Sequence, residues 1–210
     1  MVTRIILVRH GETEWNRESR IQGQTDSVLT AQGRAQAAAI GARLAGERID
    51  VIVSSDLGRA MDTAARIAIR CGYPVAGDRR LRERCFGAAE GTTYDEAGVR
   101  YPDAFSRQPR TDPDYAIPGG ESRREFHERV SRAFDDLARE HAGRRIVVVT
   151  HGGVLATIYR RIQGIDLATP HKVPIANAAF NEIVFDDGAW SVAAWDDTAH
   201  LAAAEPFEEA

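Results

Sequence analysis

Short apolar runs along the chain alternate with segments in which apolar residues recur every three or four positions. The runs occupy residues 5–8, 51–53 and 146–149, with a weaker one near 74–76. Helical spacing occurs over residues 30–46, 57–68, 122–141 and 154–162. Short apolar runs of this kind are typical of buried strands, and their alternation with helices is typical of a largely parallel sheet. The pattern therefore predicts an α/β fold.

Two local signals sharpen this prediction. Ser122 and Glu125 have the spacing of a capping box, which places a helix start at residue 122. Near the end of the sequence, apolar residues 183–185 and 190–195 flank the turn sequence 186–188. An Asp-Gly step between two such runs predicts a β-hairpin.

Residues 81–121 have a different composition, rich in Arg, Pro and Gly, with one helical possibility at 93–101. We interpret this segment as an insertion, or lid, over one edge of the sheet and not as a second domain. A chain of 210 residues is then expected to form a single domain spanning residues 1–210.

Composition narrows the classes of function. The net charge of -4 argues against nucleic acid or an anionic membrane as a partner. The first apolar run is too short for a signal peptide or a transmembrane helix. Two cysteines without a CxxC spacing suit a reducing compartment. These features predict a cytoplasmic protein.

Cationic and imidazole side chains are concentrated after the predicted strands. They are Arg9, His10 and Gly11 after the first strand, Arg59 after the second, and His151 and Gly152 after the strand at 146–149. In open α/β sheets, ligands bind beyond the carboxyl ends of the strands. We therefore expect these residues to meet on one rim.

The residue types on this rim suit a phosphate group. A helix that opens at Gly152 offers free N–H groups, and the guanidinium groups of Arg9 and Arg59 match phosphate oxygens. Neighbouring positive charge favours a neutral imidazole, which is a nucleophile toward phosphorus. The chain lacks HExxH, HxH and Cys/His clusters, and the flanking groups are cationic, so no metal is expected. The pattern favours phosphoryl transfer.

These residues resemble the histidine phosphatase superfamily, in its phosphoglycerate-mutase-like branch. The resemblance runs from residue 4 to about residue 200 and follows the family's order of motifs. The motifs are Arg9-His10-Gly11-Glu12-Thr13 with Asn16, Ile21-Gln22-Gly23, Ser54-Ser55-Asp56-Leu57-Gly58-Arg59-Ala60, Leu81-Arg82-Glu83, Phe86-Gly87 with Glu90-Gly91, Pro118-Gly119-Gly120-Glu121-Ser122 and His151-Gly152. The resemblance implies a three-layer sandwich in which helices flank a mixed, mostly parallel sheet.

The resemblance also implies a role for each matched position. His10 would become phosphohistidine, Glu83 would protonate the leaving group and then activate water, and no cofactor or metal would be required. Arg9, Arg59 and His151 would also be catalytic residues, because they would bind the phosphoryl oxygens. The implied substrate-binding and phosphate-binding residues are Arg9, Gly11, Asn16, Gln22, Gly23, Arg59, Arg84 and Gly152.

Three functions remain open. Glycolytic mutases of this branch carry Tyr where Phe86 stands and Asn where Gly153 stands, so we favour a phosphatase of small phosphomonoesters. Interconversion of 2- and 3-phosphoglycerate is the alternative, and a non-catalytic phosphoester-binding module is a third. Residues 81–121 are expected to select the leaving group. The expected partner is a small phosphorylated metabolite, with the chain a monomer or a homodimer.

Overall fold

The computed structural model of the protein describes residues 1–105, 112–169 and 172–202. The strands in these residues are β1 (Thr3–Arg9), β2 (Val51–Ser54), β3 (Val75–Gly77), β4 (Arg145–Thr150), β5 (Phe180–Asp186) and β6 (Ala189–Asp197). They form one sheet in the order β3-β2-β4-β1-β5-β6. The first four strands along this order pair in parallel, and β5 and β6 are antiparallel. The prediction of a mixed, mostly parallel sheet is confirmed.

Helices cover both faces of the sheet. They are α1 (Glu14–Arg17), α2 (Ala31–Leu44), α3 (Gly58–Cys71), α4 (Tyr94–Arg100), α5 (Pro102–Phe105), α6 (Arg123–Glu140) and α7 (Gly152–Ile162). Alternate residues of β1 point to opposite faces: Ile5 packs in the core beneath α6 and α7, whereas Ile6 packs in the core beneath α2 and α3. Both side chains are fully buried, which stabilises the fold by about 1.5–3 kcal/mol each. The three-layer arrangement is confirmed.

The capping box and the hairpin turn form as the sequence predicts. The Ser122 hydroxyl accepts the N–H of Glu125, and the Glu125 carboxylate accepts the N–H of Ser122. The hairpin also forms, because Asp187 and Gly188 adopt positive φ angles of 47° and 81° in the turn between β5 and β6. None of the described helices is both long and apolar enough to cross a membrane.

The described residues of the predicted lid, 81–105 and 112–121, form a small apolar cluster together with Ile21. Its buried members are Ile21, Ala89, Ala97 and Ile117, with Phe86, Tyr101, Ala104, Phe105 and Tyr115 packed against them. The predicted helix at 93–101 is confirmed as α4, which begins after the N-cap Thr93. Helices α1 and α5 have four residues each and were not predicted, because a single turn leaves no periodic pattern to detect.

Candidate active site

The two histidines meet because their strands are neighbours. Strands β1 and β4 pair in parallel with Arg9 opposite Thr150, so the residue after each strand emerges at the same level. The ring centroids of His10 and His151 are 5.3 Å apart. The arrangement brings both imidazoles to the carboxyl edge of the sheet, as their positions after the strands predict.

The backbone fixes the tautomer of His10. Its Nδ1 lies 2.8 Å from the Gly11 carbonyl oxygen, which can only accept a hydrogen bond, so Nδ1 carries the proton. The Asn177 side-chain amide donates to the His10 carbonyl at 2.8 Å and holds the backbone in place. In the neutral imidazole, Nε2 then has a free lone pair and can act as the nucleophile.

Burial and positive charge keep both imidazoles neutral. His10 is 3% exposed and His151 is fully buried. Burial lowers the pKa of His10 well below its usual value, and the charges of Arg59 and Arg9 lower it further. The same causes lower the pKa of His151, whose Nε2 lies 2.8 Å from Ser55 Oγ. At neutral pH both rings are therefore uncharged, and His10 Nε2 carries no proton that would block attack on phosphorus.

Two arginines flank this pair and are held by backbone carbonyls. Arg9 donates from Nη1 to the Ile175 carbonyl at 2.8 Å. Arg59 is 2% exposed and donates from Nη2 to the Gly23 carbonyl at 2.6 Å and from Nη1 to Asp26 Oδ1 at 3.1 Å. Burial lowers the pKa of both guanidinium groups, yet they stay charged because the ordinary value is so high.

Three buried nitrogens of this group have no hydrogen-bond partner among the described residues. They are Arg9 Nε, Arg59 Nε and His151 Nδ1. Buried polar nitrogens are normally paired, and an unpaired one costs about 1–3 kcal/mol. A phosphoryl group beside His10 would supply acceptor oxygens to such donors.

Glu83 is anchored at the first turn of α7. Its Oε2 accepts the N–H of Gly153 at 2.8 Å, and its Oε1 accepts the N–H of Arg84 at 2.8 Å. The absence of a side chain at Gly153 allows this approach, because a Cβ atom there would lie 2.1 Å from Glu83 Oε1 and would push the carboxylate aside. This approach carries the carboxylate to the wall of the cavity that His10 lines.

Arg129 of α6 holds the backbone that carries Glu83. It donates to the carbonyls of Arg80, Arg82 and Glu83 at 2.7, 3.0 and 3.2 Å. Two further bonds, both 2.8 Å long, join its guanidinium to the Glu121 carboxylate. The second oxygen of Glu121 also accepts the N–H of Cys85 at 2.9 Å. Arg129 and Glu121 thus hold the backbone of the Glu83 loop in place.

A second carboxylate, Glu90, binds the loop formed by residues 23–26. It accepts the N–H groups of Gln24 and Thr25 at 3.0 and 2.9 Å, and also that of Phe86 at 2.9 Å. The loop passes so close that a Cβ atom at Gly23, where φ is +56°, would lie 2.1 Å from Glu90 Oε1. Because Arg59 is bonded to this same loop, Glu90 supports the arginine indirectly.

These residues surround a cavity of about 400 Å³. The predicted residues that line it are Arg9, His10, Asn16, Gln22, Gly23, Arg59, Glu83 and Gly152. Three predicted residues are elsewhere. His151 is not among the lining residues, although its ring centroid is 5.3 Å from that of His10, and Arg84 lines a neighbouring cavity.

Gly11, which is predicted to contact phosphate, is also not among the residues that line this cavity. Its N–H donates to Thr63 Oγ1 at 3.0 Å, so that group is already occupied. A Cβ atom at this position would lie 2.3 Å from the Gly33 carbonyl oxygen. The glycine therefore allows α2 to approach β1 and presents its own carbonyl to His10.

The sequence did not indicate several other residues of the cavity wall, which are Trp15, Ser19, Arg20, Tyr94, Val173 and Ile175. Trp15 lies in α1, which is too short to show a pattern, Tyr94 begins the predicted helix α4, and the others lie in turns and loops, so only the tertiary structure brings them together.

Comparison with known proteins agrees with this geometry. The family model described as histidine phosphatase superfamily (branch 1) matches residues 5–198. The chain belongs to the histidine phosphatase superfamily. Its family resemblance and its phosphoglycerate-mutase-like fold, both expected from the sequence, are therefore confirmed.

Two relatives from Arabidopsis thaliana illustrate the range of this superfamily. A metal-independent phosphoserine phosphatase is 43% identical over 203 residues, which cover 95% of this chain and 84% of the relative. Phosphoglycerate mutase-like protein 4 is 42% identical over 202 residues, which cover 94% and 86%. Among solved structures, Bacillus stearothermophilus YhfR matches with a TM-score of 0.88 and 34% identity over 95% of this chain and 99% of that one.

Proposed function

We propose that this histidine phosphatase hydrolyses small phosphomonoesters through a phosphohistidine on His10, without a metal. The observation that carries the proposal is the buried, neutral His10, whose Nδ1 is fixed by Gly11 and whose Nε2 is free, beside buried donors on Arg9 and Arg59. A phosphate monoester is the ligand class that needs both a nucleophile and several cationic donors.

In the first step, the Nε2 lone pair of His10 forms a bond to phosphorus while the bond to the leaving oxygen breaks. Glu83 enters as the carboxylic acid and transfers its proton to that oxygen, so the product leaves as an alcohol. Arg9, Arg59 and His151 bind the three phosphoryl oxygens, whose charge is spread in the transition state.

In the second step, the Glu83 carboxylate takes a proton from water as the water oxygen attacks phosphorus. The bond between phosphorus and Nε2 breaks, and inorganic phosphate and neutral His10 are released. Glu83 is again an acid and His10 is again a free base, so the cycle closes without a cofactor.

Hydrolysis is favoured over mutase activity by two positions near Glu83. Phe86 has no hydroxyl group where mutases of this branch carry Tyr, and Gly153 has no side-chain amide where they carry Asn. A mutase must retain its bisphosphate intermediate and exclude water, whereas a phosphatase admits water. The mutase-like name of one Arabidopsis relative keeps phosphoglycerate interconversion as the second candidate.

The segment from Leu81 to Glu121 is proposed to be the lid of a single-domain chain and to select the leaving group. Support comes from Glu83, Phe86 and Tyr94, which this segment contributes to the cavity wall. A cytoplasmic location, the absence of nucleic-acid and membrane partners, and a monomeric or homodimeric state remain predictions from the sequence.

The test is phosphorus NMR with EDTA present. Substrates are phosphoserine, α-ribazole phosphate, several sugar phosphates, and 3-phosphoglycerate with a trace of bisphosphoglycerate. We expect inorganic phosphate to appear with the wild type and with His127→Ala, a control on the outer part of α6, and not with His10→Ala. Quenching in alkaline SDS should trap a phosphoprotein that is stable in base and labile in acid, and that His10→Ala lacks.

Phosphate release that persists in His10→Ala would overturn the covalent mechanism. Appearance of 2-phosphoglycerate without free phosphate would instead establish the mutase. Binding without turnover of any ester would favour the non-catalytic module.

A further inference from the structure

The Arg9 guanidinium lines the catalytic cavity, and one hydrogen bond to the protein fixes its direction. Its Nη1 donates to the Ile175 carbonyl oxygen at 2.8 Å, which is its only side-chain bond within the described residues. Its Nε is buried without a partner among the same residues, and a Cβ atom at Gly152 would lie 3.4 Å from this nitrogen. The other N–H groups are left for phosphoryl oxygens. The direction of the Arg9 side chain therefore depends on a single carbonyl group.

That carbonyl belongs to a peptide group that a carboxylate holds on its other side. The Ile175 C=O and the Ala176 N–H are parts of one planar peptide unit, and in its trans form they point in opposite directions. The Ala176 N–H donates to Asp196 Oδ1 at 2.7 Å. Asp196, the peptide group and Arg9 are thus joined by two hydrogen bonds in series through one rigid plane. A rotation of this plane would break both bonds.

Asp196 reaches this peptide group because β6 bulges at this point. Phe180 pairs with Asp197 and Glu182 pairs with Ala194, so β6 advances by three residues where β5 advances by two. Asp196 lies in this bulge with a φ angle of +51°. Bulges redirect side chains, and Asp is one of the few residues besides Gly that adopt this left-handed conformation. The bulge therefore directs the Asp196 carboxylate toward the loop that precedes β5.

Further hydrogen bonds hold the bulge in place. The Asp196 N–H donates to Asn181 Oδ1 at 2.7 Å, and Asn181 Nδ2 donates to the Leu7 carbonyl of β1 at 3.1 Å. The preceding residue, Trp195, donates from Nε1 to the Pro174 carbonyl at 2.9 Å. The bulge is thus tied both to β1, the strand that carries the catalytic residues at its end, and to the loop that precedes β5.

The charge of Asp196 also acts on Arg9. Burial has the largest effect on the pKa of Arg9 and lowers it, and the positive charge of Arg59 acts in the same direction. Glu83, Tyr94 and Asp196 raise this pKa. A carboxylate bound to a peptide N–H also polarises the peptide group, which makes its carbonyl a stronger acceptor. Asp196 therefore favours a charged guanidinium that stays bonded to this carbonyl.

We propose that Asp196 is a positioning residue that holds Arg9 in its phosphate-binding direction through the Ile175–Ala176 peptide group. The proposal rests on the proposed phosphatase function, in which Arg9 binds a phosphoryl oxygen. Without the carboxylate the Ala176 N–H loses its acceptor, the peptide plane turns, and Arg9 loses the carbonyl that directs it. Asp196 is not among the residues that line the cavity, so it acts through Arg9 and not on the substrate.

Two variants separate the hydrogen bond from the backbone conformation. Asp196→Gly removes the acceptor, and glycine adopts a φ angle of +51° without strain. Asp196→Asn keeps an acceptor oxygen, and Asn also tolerates this conformation. We expect Asp196→Gly to lower kcat/KM for 4-nitrophenyl phosphate by about tenfold, since one charge-assisted bond is lost. Asp196→Asn should stay within about threefold of the wild type, because a neutral hydrogen bond replaces the charge-assisted one.

Asp187→Gly is the matched control. Asp187 is exposed in the turn of the same hairpin and has a φ angle of +47°. The substitution makes the same change of charge and of backbone freedom, but it leaves the Ala176 N–H with its acceptor, so kcat/KM should be unchanged. Thermal unfolding of each variant checks that it is folded.

A double-mutant cycle shows whether Asp196 acts through Arg9, which a merely structural role would not do. The Arg9→Met background has no guanidinium to orient, so adding Asp196→Gly there should change kcat/KM by less than about twofold. Binding of inorganic phosphate, measured by calorimetry, gives a second readout that needs no turnover. We expect Asp196→Gly to weaken this binding by about tenfold and Asp196→Asn to restore most of it.

Three results would each overturn the positioning role while the phosphatase function stands. They are a loss below about twofold in Asp196→Gly, an equal loss in Asp196→Asn, and a loss that persists in full in the Arg9→Met background. An equal loss in Asp187→Gly would refute it as well. Absence of turnover in the wild type would instead overturn the phosphatase function, and the phosphate affinities of the same variants would then decide whether Asp196 positions Arg9.

Discussion

Replacing Gly153 by Ala should impair protonation of the leaving group while sparing attack on phosphorus. The added Cβ atom would lie 2.1 Å from Glu83 Oε1 and 2.9 Å from its carboxyl carbon. Ordinary van der Waals contact begins at 3.4 Å, so the carboxylate must retreat by about 1 Å. That shift also breaks or lengthens the 2.8 Å bond from the Gly153 N–H.

The size of the effect follows from the role of Glu83. A misplacement of about 1 Å costs an enzyme about 100-fold, and general acid–base catalysis as a whole contributes about 10²–10⁴-fold. We therefore expect kcat for an alkyl phosphate to fall by about 100-fold. A nitrophenolate leaves without being protonated, so its release in the first step should fall by less than about threefold.

Stopped-flow measurement with 4-nitrophenyl phosphate separates the two steps. Since Glu83 also activates water in the second step, Gly153→Ala should show a burst of one nitrophenolate for each site followed by a slow steady state. Gly46→Ala is the matched control, because a Cβ atom there meets nothing within 4 Å. Loss of burst and steady state in equal proportion, or a steady-state rate within about twofold of the wild type, would refute the reasoning.

Three further outcomes are expected. Because the pKa of His10 is lowered below 6.5, the acid limb of the kcat/KM profile that belongs to this residue should lie below pH 6.5. Arg59→Met removes a repelling charge and should move this limb toward higher pH. An unmoved limb would contradict the assignment to His10. Below pH 6.5, His10 and His151 bind protons in the unfolded state but not in the folded state. The free energy of unfolding should therefore rise with pH up to about 6.5 and then level off. The slope below pH 6.5 should be at most about 1.4 kcal/mol per pH unit for each histidine. Urea unfolding at several pH values measures this slope, and equal stability on both sides of pH 6.5 would count against it. Arg129→Met removes the donors that hold the Glu83 loop, so it should lower the free energy of unfolding in urea by about 2–3 kcal/mol and should also lower kcat. Loss of stability without loss of kcat would mean that Arg129 does not position Glu83.

The sequence was sufficient for the sheet and for the two histidines. Apolar runs such as residues 5–8 identify strands directly, and residues that follow parallel strands must share one edge. Glu83 has no such signal of its own, because it is one of 31 acidic residues and lies outside any strand or helix with a clear pattern. Only the family resemblance marked it.

The remaining differences arise from tertiary contacts. Gly11 carries a motif signal for phosphate, yet its N–H is taken by Thr63, a residue 52 positions away. Arg129 positions the site through bonds to backbone groups far along the chain, and on its helix it looks like any other surface charge. Glu90 belongs to a family motif, but the motif does not show that its carboxylate binds the backbone of Gln24. Charge and periodicity describe neighbours in sequence, whereas these roles depend on which carbonyl or N–H a side chain meets in space.

The way in which Glu90 and Glu121 bind the chain has a consequence for how this enzyme could be redesigned. Both carboxylates recognise backbone N–H groups, at Gln24 and Phe86 for one and at Cys85 for the other, so these contacts survive changes of side chain at their partners. The side chains of the stretch 84–86 can then be exchanged without rebuilding the phosphate-binding half. Transplanting that stretch from a relative should transfer substrate choice and leave the chemistry at phosphorus intact.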